Sequence, residues 1–223
     1  TRLAVGLGGD PDSKVKDGAF YIIDASGTSL EVIHEDRKSK LLIRDIGFSP
    51  DAQTLAIASE DGKVYLHDAN DYSLKTMCQK TGSNVIAFDF SSDASTLQLT
   101  TSADELLFYS ARTGEPIASN ASVRDVDWAT ISCPLGWHVQ GVWPPDNDGV
   151  SCLTVHRSAD RALLAKGDDA GGVAVFRYPC QTHDAGAVKC DGHASHVTRV
   201  RFTCDGKYLV SDRAPRPRRR ARA

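Results

Sequence analysis

The chain has 223 residues, of which 41% are hydrophobic, 25% charged and 7% aromatic, and these proportions exclude the collagen-like, disordered and disulfide-dense classes. The net charge of −3 is unevenly spread, because residues 1–212 carry 20 basic and 29 acidic side chains, whereas residues 213–223 carry six arginines and no acid. A body with a charge of −9 argues against nucleic acid as its partner, since phosphate binding needs a basic face.

The first part of the chain consists of short runs of β-branched and aromatic residues. Residues 19–24 look like the third strand of a unit that begins upstream. A fuller unit follows in three runs, at residues 46–51, 55–62 and 64–68. Asp, Gly, Ser or Pro separates the runs every eight to twelve residues, which is the spacing of hairpins and not of helices.

The same pattern then returns three times. Leu97 of the second copy lies 42 residues after Leu55, and Leu163 of the third copy lies 66 residues after Leu97. A fourth copy occupies residues 197–211. A four-stranded unit that recurs at about 40–45 residues is typical of a β-propeller blade.

The sequence therefore predicts an all-β fold with negligible helix: a partial WD-repeat β-propeller over residues 1–212, with about three and a half four-stranded blades. In this alignment the 162–176 segment forms strands, and Asp61 and Asp169 occupy equivalent turns of different blades. An open part of a ring exposes strand edges, so we expect the propeller to need the rest of its chain, or a partner, for closure.

The units are poor copies of the WD repeat. Where the third strand usually carries Trp, the alignment places His67, Tyr109 and either Phe176 or Arg177. Only one Gly-His dipeptide is present, at residues 192–193. We expect the buried Asp–His–Ser–Trp hydrogen-bond network to be mostly absent and the blades to depend on apolar packing.

About 25 additional residues precede the third copy, and this region holds all three tryptophans, Trp128, Trp137 and Trp143. Exposed aromatic rings would form a partner-binding surface. Alternatively, the inserted chain folds back, and the rings cap the core of a blade. Both interpretations remain open, and the three residues are candidates for partner contact.

The same region resembles the echinoderm microtubule-associated protein-like (EML) family. Residues 124–130 read Arg-Asp-Val-Asp-Trp-Ala-Thr, 135–139 read Leu-Gly-Trp-His-Val, and 141–144 read Gly-Val-Trp-Pro. The similarity continues at 175–180 and at 192–198. It implies the second propeller of a tandem atypical pair and no catalytic activity.

The resemblance also implies a partner and a location. Members associate with tubulin and microtubules, and some relatives occur in cilia and flagella, so we expect tubulin or axonemal partners and a place in the cytoplasm, on the microtubule cytoskeleton or the axoneme. A general WD-repeat interaction scaffold without tubulin contact is the alternative. The hydrophobic HELP motif and the N-terminal coiled coil of the family are not in this sequence.

Two residue patterns suggest chemistry only weakly. Cys180 and His183, followed by Cys190 and His193, have a spacing that a zinc site could use, but His193 belongs to the Gly-His turn of a blade. The adjacent pair at residues 168–169 matches a blade turn better than a catalytic carboxylate pair. We predict no catalytic residue, metal or cofactor.

The last residues, 213–223, are rich in Arg and Pro and lack apolar periodicity, so we expect disorder. Arg216, Arg218, Arg219 and Arg220 are candidates for contact with the acidic surface of tubulin. The alternatives are a solvated end without function and a tail that arises from an error in the gene model.

The remaining expectations concern compartment. The sequence has no run of roughly 18 apolar residues, so we predict no membrane partner. It opens at Thr1 without a secretory signal, which suggests a piece of a longer protein. Six cysteines without a C-x-x-C pair favour reduced thiols in an intracellular protein.

Overall fold

The computed structural model describes residues 1–8, 17–79, 81–143 and 149–213. The chain divides into two compact units: unit 1, Thr1–Ala129, and unit 2, Thr130–Ala223. Besides β-strands, the described residues form two short 3₁₀ helices, Asn120–Val123 and Gln140–Val142. Neither of these helices has the length and hydropathy needed to span a membrane.

Unit 1 contains three antiparallel sheets, in each of which consecutive strands are neighbours. Sheet 1 comprises β1 (Arg2–Gly6), β2 (Ala19–Asp24) and β3 (Glu31–Arg37). Sheet 2 comprises β4 (Ile43–Phe48), β5 (Thr54–Ser59), β6 (Lys63–Asp68) and β7 (Leu74–Cys78). Sheet 3 comprises β8 (Val85–Phe90), β9 (Thr96–Thr101) and β10 (Leu106–Ser110).

Unit 2 contains two further antiparallel sheets with the same strand order. Sheet 4 comprises β11 (Cys152–Arg157), β12 (Leu163–Asp168), β13 (Gly172–Arg177) and β14 (Ala187–Asp191). Sheet 5 comprises β15 (Val197–Phe202) and β16 (Leu209–Arg213). These sheets confirm the predicted all-β class and the four-stranded blade, with strands where the repeat alignment requires them at 162–176.

Within each unit, apolar faces of adjacent sheets pack together. Phe20 and Ile22 of sheet 1 lie in one buried cluster with Ile57 and Tyr65 of sheet 2. The opposite face of sheet 2 packs in the same way on sheet 3. In unit 2, Ala165 and its neighbours on sheet 4 pack against Val197 and Val200 of sheet 5. Because side chains alternate along a strand, one sheet can serve two such cores.

A side-chain hydrogen bond recurs in the turn between the first two strands of four sheets. A hydroxyl donates to the aspartate two residues later, in pairs Ser49–Asp51 (2.5 Å), Ser91–Asp93 (2.6 Å), Ser158–Asp160 (2.6 Å) and Thr203–Asp205 (2.5 Å). The same hydroxyl accepts the backbone N–H five residues on, as from Thr96 to Ser91 (2.9 Å). The residue after each aspartate has positive φ, as at Ala94 (59°). This local network sets the register of the hairpin.

The repeated turn corrects the sequence alignment by one residue. Leu97 follows Ser91 at the same distance as Leu164, and not Leu163, follows Ser158. Leu97 pairs with Tyr109 and Leu164 pairs with Phe176, so the Trp-equivalent position of sheet 4 is Phe176 and not Arg177. The side chain of Phe176 is buried, whereas Arg177 is exposed.

The usual polar network of a WD blade is replaced in sheet 2. Ser39 Oγ lies 2.7 Å from Ser59 Oγ and donates to Asp61 Oδ2 (3.2 Å), and the Tyr65 hydroxyl donates to the same carboxylate oxygen (2.6 Å). Burial, reinforced by this bond, raises the pKa of Tyr65. Asp61 lies in the turn between β5 and β6, and Asp169 lies in the turn between β12 and β13, as predicted.

Sheet 5 keeps one part of the ordinary network. His193 Nε2 and Ser211 Oγ are hydrogen-bonded at 2.7 Å. His193 belongs to the Gly-His dipeptide that the sequence shows at residues 192–193. A histidine–hydroxyl pair is therefore retained where that dipeptide occurs.

The first prediction concerns the hydroxyl–aspartate turn. Ser91→Ala removes the donor to Asp93 and the acceptor for Thr96 N–H, so we expect the free energy of unfolding to fall by about 1 kcal/mol. Ser29→Ala, at an exposed loop position, is the matched control and should change stability little. Chemical denaturation of both variants measures the difference, and equal stabilities would contradict the role assigned to the turn.

The second prediction concerns pH. Hydrogen bonds from the turn hydroxyls are the largest cause that lowers the pKa of Asp51, Asp93, Asp160 and Asp205 below the usual 3.8. A carboxyl group whose pKa is lower in the folded state stabilises the fold at pH values above its pKa in the unfolded chain. This stabilisation is lost as the pH falls through its pKa in the folded state. The stability difference between wild type and Ser91→Ala should therefore narrow below about pH 4. Denaturation at several pH values tests this; a constant difference would count against it.

Candidate functional site

Trp128, in unit 1, is buried. Only 3% of the residue is exposed, and its indole stacks on Phe108 with ring centroids 6.1 Å apart and an interplanar angle of 24°. The backbone holds it there, because Ala129 N–H donates to the Phe90 carbonyl (2.9 Å) and Trp128 forms a β-bridge with Ser91. Of the two interpretations, Trp128 therefore matches the one in which the ring packs in the core, and its ring is not available at the surface.

Trp137 and Trp143, in unit 2, are half-buried. They belong to residues 130–143, here called the Trp segment. Trp143 Nε1–H donates to the Pro134 carbonyl (2.9 Å), and His183 Nδ1 donates to the Trp143 carbonyl (3.0 Å). A half-buried indole held by hydrogen bonds presents apolar area to a partner with little loss of side-chain freedom on binding.

The Trp segment is fastened to the loop at residues 178–183. Gly141 N–H donates to the Cys180 carbonyl (2.9 Å), and Cys180 N–H donates to the His138 carbonyl (3.0 Å). Four apolar residues of the segment are almost fully buried: Ile131, Cys133, Val139 and Val142. The two tryptophans therefore stand on a fixed support.

Gly141 is the point of closest approach in this contact. A Cβ at this position would lie 2.3 Å from the Thr182 carbonyl oxygen and 2.7 Å from Cys180 Sγ. Both distances are too short for any side chain. The sequence matches of the Trp segment included Gly141, but they gave no indication that its contact would be residues 180–182.

Arg157 of β11 joins the Trp segment to sheet 4. Its backbone N–H donates to the Ile131 carbonyl (3.2 Å), and its guanidinium lies 5.2 Å from the centre of the Tyr178 ring. The ring of His138 lies 6.1 Å from the same tyrosine ring. A cation over an aromatic face is attractive, and it adds to the backbone hydrogen bonds here.

The residues considered for chemistry have structural roles. Asp168 Oδ1 accepts hydrogen bonds from Ala170 N–H (3.1 Å) and Gly172 N–H (2.7 Å), and Asp169 accepts one from Ser151 N–H (2.9 Å). Cys180 is buried, which raises the pKa of its thiol, whereas Cys190 is exposed. In the described part of the chain, no three His, Cys, Asp or Glu side chains are grouped to hold a metal.

The four arginines of the tail that were candidates for partner contact, Arg216, Arg218, Arg219 and Arg220, lie outside the described residues.

One further feature was not anticipated from the sequence. Lys166 and Lys189 line a cavity of about 600 Å³ on one face of sheet 4. The available signal was the position of Lys166, eight residues after the turn hydroxyl of Ser158. The same offset from Ser49 and Ser91 gives the aliphatic residues Ile57 and Leu99.

Comparisons with known proteins agree with this architecture. A family model described as the echinoderm microtubule-associated protein second beta-propeller matches residues 1–212. The 77 kDa echinoderm microtubule-associated protein of Strongylocentrotus purpuratus is 38% identical over 198 residues, and echinoderm microtubule-associated protein-like 1 of Homo sapiens is 33% identical over 198 residues.

The matches cover most of this chain but only a part of each relative. Each alignment covers 87% of this chain, but 29% of the sea urchin protein and 24% of the human one, so the chain spans about a quarter of the length of these relatives. A chain of the solved structure titled "Crystal Structure of Mitotic Checkpoint Complex" is similar with a TM-score of 0.69 and 15% identity, over 95% of this chain and 69% of that one. That likeness concerns the fold.

The third prediction tests the support of the tryptophans. Gly141→Ala should lower the free energy of unfolding by about 2 kcal/mol, because the added methyl group collides with the backbone at Thr182. Gly186→Ala is the control, since nothing lies within 4 Å of its Cβ position. Denaturation followed by tryptophan fluorescence measures both variants. Equal stability of the two would mean that the contact at Gly141 is not needed.

Proposed function

The chain belongs to the echinoderm microtubule-associated protein family, and on that basis we propose that it acts as a non-enzymatic, microtubule-associated WD-repeat propeller that binds tubulin or axonemal proteins. The observation that carries the proposal is the pair of half-buried tryptophans, Trp137 and Trp143, on a segment fixed to sheet 4. We place the protein in the cytoplasm, on microtubules of the cytoskeleton or of the cilium.

The proposed mechanism is rigid display. Tryptophans supply large contact areas at interfaces and contribute a disproportionate share of binding energy there. The Trp segment is held by backbone hydrogen bonds at Gly141 and Cys180. A partner that docks on it therefore meets a preformed surface, which reduces the entropy lost on binding. No bond-making step enters this mechanism, because shape and hydrogen bonding provide the selectivity.

Residues 1–212, the body, and residues 213–223, the tail, differ in charge, and we propose different roles for them. Residues 1–212 carry −9, so long-range forces between the body and the acidic surface of tubulin are repulsive. Local contacts still form, since charges are screened beyond about 8 Å at physiological ionic strength. The arginines at 213–222 are the strongly cationic stretch of the sequence, and we assign any charge-driven attraction within this chain to them.

The negative body favours a second candidate function. A general WD-repeat scaffold that binds other proteins, without tubulin contact, would experience no such repulsion. Co-sedimentation of the full-length protein with microtubules separates the two functions, because the scaffold would stay in the supernatant at every salt concentration.

The fourth prediction concerns the tryptophans. In the full-length protein, Trp137→Ala and Trp143→Ala should each weaken microtubule binding about tenfold at all salt concentrations, because they remove apolar contact area and no charge. Tyr208→Ala is the control, as Tyr208 is a 68% exposed aromatic residue in the turn between β15 and β16, outside the Trp segment. Co-sedimentation across a salt series measures the affinities. An equal loss of microtubule affinity in all three variants would show that the Trp segment has no specific role in binding.

The salt series also tests the tail. Deleting residues 214–223 should weaken binding at low salt and flatten the salt dependence, since five positive charges are removed. An unchanged salt slope would exclude the tail from the mechanism and leave the propeller surfaces as the binding sites.

A further inference from the structure

One face of sheet 4 forms the floor of a groove in unit 2. The groove has a volume of about 600 Å³, and Gly141, Val142 and His183 line it together with residues of the strands. Its floor includes Lys166 of β12, Ala174 of β13 and Lys189 of β14. The other face of the sheet packs on sheet 5, so the groove lies on the side away from that core.

Lys166, Ala174 and Lys189 form one row across three strands. Lys166 pairs with Ala174, and Ala174 pairs with Lys189, so the three side chains share a face. The corresponding row of sheet 2 is Ile57, Tyr65 and Met77. That apolar row is covered by sheet 1.

The substitutions across this row both make room and add charge. Alanine stands where sheet 2 has Tyr65, which leaves space above the middle strand. Lysines stand on either side of it, where sheet 2 has Ile57 and Met77. The two lysine Cα atoms are separated by two strand spacings, about 10 Å, so one carboxylate can contact both ammonium groups.

Lys166 is buried without a counter-charge among the described residues. Only 9% of the residue is exposed, and no described carboxylate lies within the 4.0 Å of an ion pair to its Nζ. The charge of Lys166 also acts on the buried thiol of Cys152. Burial raises the pKa of this thiol to about 12, and the positive charge of the lysine opposes that rise. The aliphatic part of the Lys166 side chain is therefore buried while its charge is free to pair with an anion in the groove.

The nearest carboxylate along β12, that of Asp168, already accepts hydrogen bonds from its own turn. Asp168 lies on the same face, two residues from Lys166, and lines the groove. Its Oδ1 accepts from two backbone N–H groups of its own turn, Ala170 and Gly172. The charged groups of the described lining, Lys166, Lys189 and Asp168, therefore sum to a positive site in a body that is otherwise acidic.

We propose that this groove binds an acidic peptide segment of a partner protein, with a Glu or Asp carboxylate held between Lys166 and Lys189. The apolar lining at Val142 and Phe176 receives the aliphatic part of the same segment. The volume suits a few side chains and is far larger than a single inorganic anion needs. The site is independent of microtubule binding, and its test uses no microtubules.

The test is fluorescence anisotropy of a fluorescein-labelled hexaglutamate peptide with the full-length protein. We expect saturable binding that weakens with salt, and no binding of the hexaglutamine peptide. Lys166→Met and Lys189→Gln should each weaken binding about tenfold, because each removes one charge partner. Lys166→Met should keep the fold, since Ile57 and Leu99 occupy the equivalent position, and a thermal melt checks this.

Lys207→Gln is the matched control. It removes the same charge from an exposed lysine in the turn between β15 and β16, which pairs with Asp205 at 3.8 Å, so binding should stay unchanged. Equal binding by wild type and Lys166→Met, or no binding by wild type, would overturn the proposal. So would strong displacement of the peptide by inorganic phosphate at equal concentration, which would indicate a small-anion site.

A last variant separates a partner from the chain itself. Asp146 and Asp148, which lie outside the described residues, are changed together to Asn. Affinity for hexaglutamate should stay within about twofold of wild type. Binding that appears only in this variant would show that the chain's own carboxylates occupy the groove, and the proposal would be wrong.

Discussion

A hydroxyl hydrogen-bonded to the aspartate two residues later lies in the turn before the second strand of four of the five described sheets, and the register of each of these sheets depends on it. The bond fixes where the chain reverses, as at Ser91 and Asp93, and so decides which residues of the next strand face the neighbouring sheet. A slip of one residue would turn the apolar side chains outward. The carboxylate is stabilised in its charged form by the same contacts, so the turn is also the point at which acid acts on the fold.

Once register is fixed, equivalent rows of different sheets become comparable, and the two units use the same position in different ways. In sheet 2 the row through Ile57 and Tyr65 completes a core. In sheet 4 the same row holds Lys166 and Ala174, and a groove lies above it. Three side chains of one row thus distinguish the covered core of sheet 2 from the groove of sheet 4. The two lysines that line the groove, with Asp168 as the one described carboxylate beside them, are the physical reason to expect an anionic occupant.

The inserted chain adds a different type of surface. Trp128 packs within unit 1, whereas Trp137 and Trp143 of the Trp segment in unit 2 are half-buried. Its attachment relies on backbone groups and on the lack of a side chain at Gly141, so it tolerates little change there. Family membership and the fixed tryptophans are the observations behind the proposed binding role.

The sequence by itself determined the all-β class, the four-stranded repeat, the family and the placement of Asp61 and Asp169 in equivalent turns, because these follow from alternation and from turn residues that act on their near neighbours. Only the tertiary structure decided that Trp128 is buried, that Phe176 and not Arg177 takes the Trp-equivalent position, and that Lys166 faces a groove. The burial of Trp128 depends on Phe108, a partner 20 residues away, and the attachment of the Trp segment likewise depends on the contact of Gly141 with Cys180. Spacing along the chain does not encode such contacts, since packing between elements fixes them.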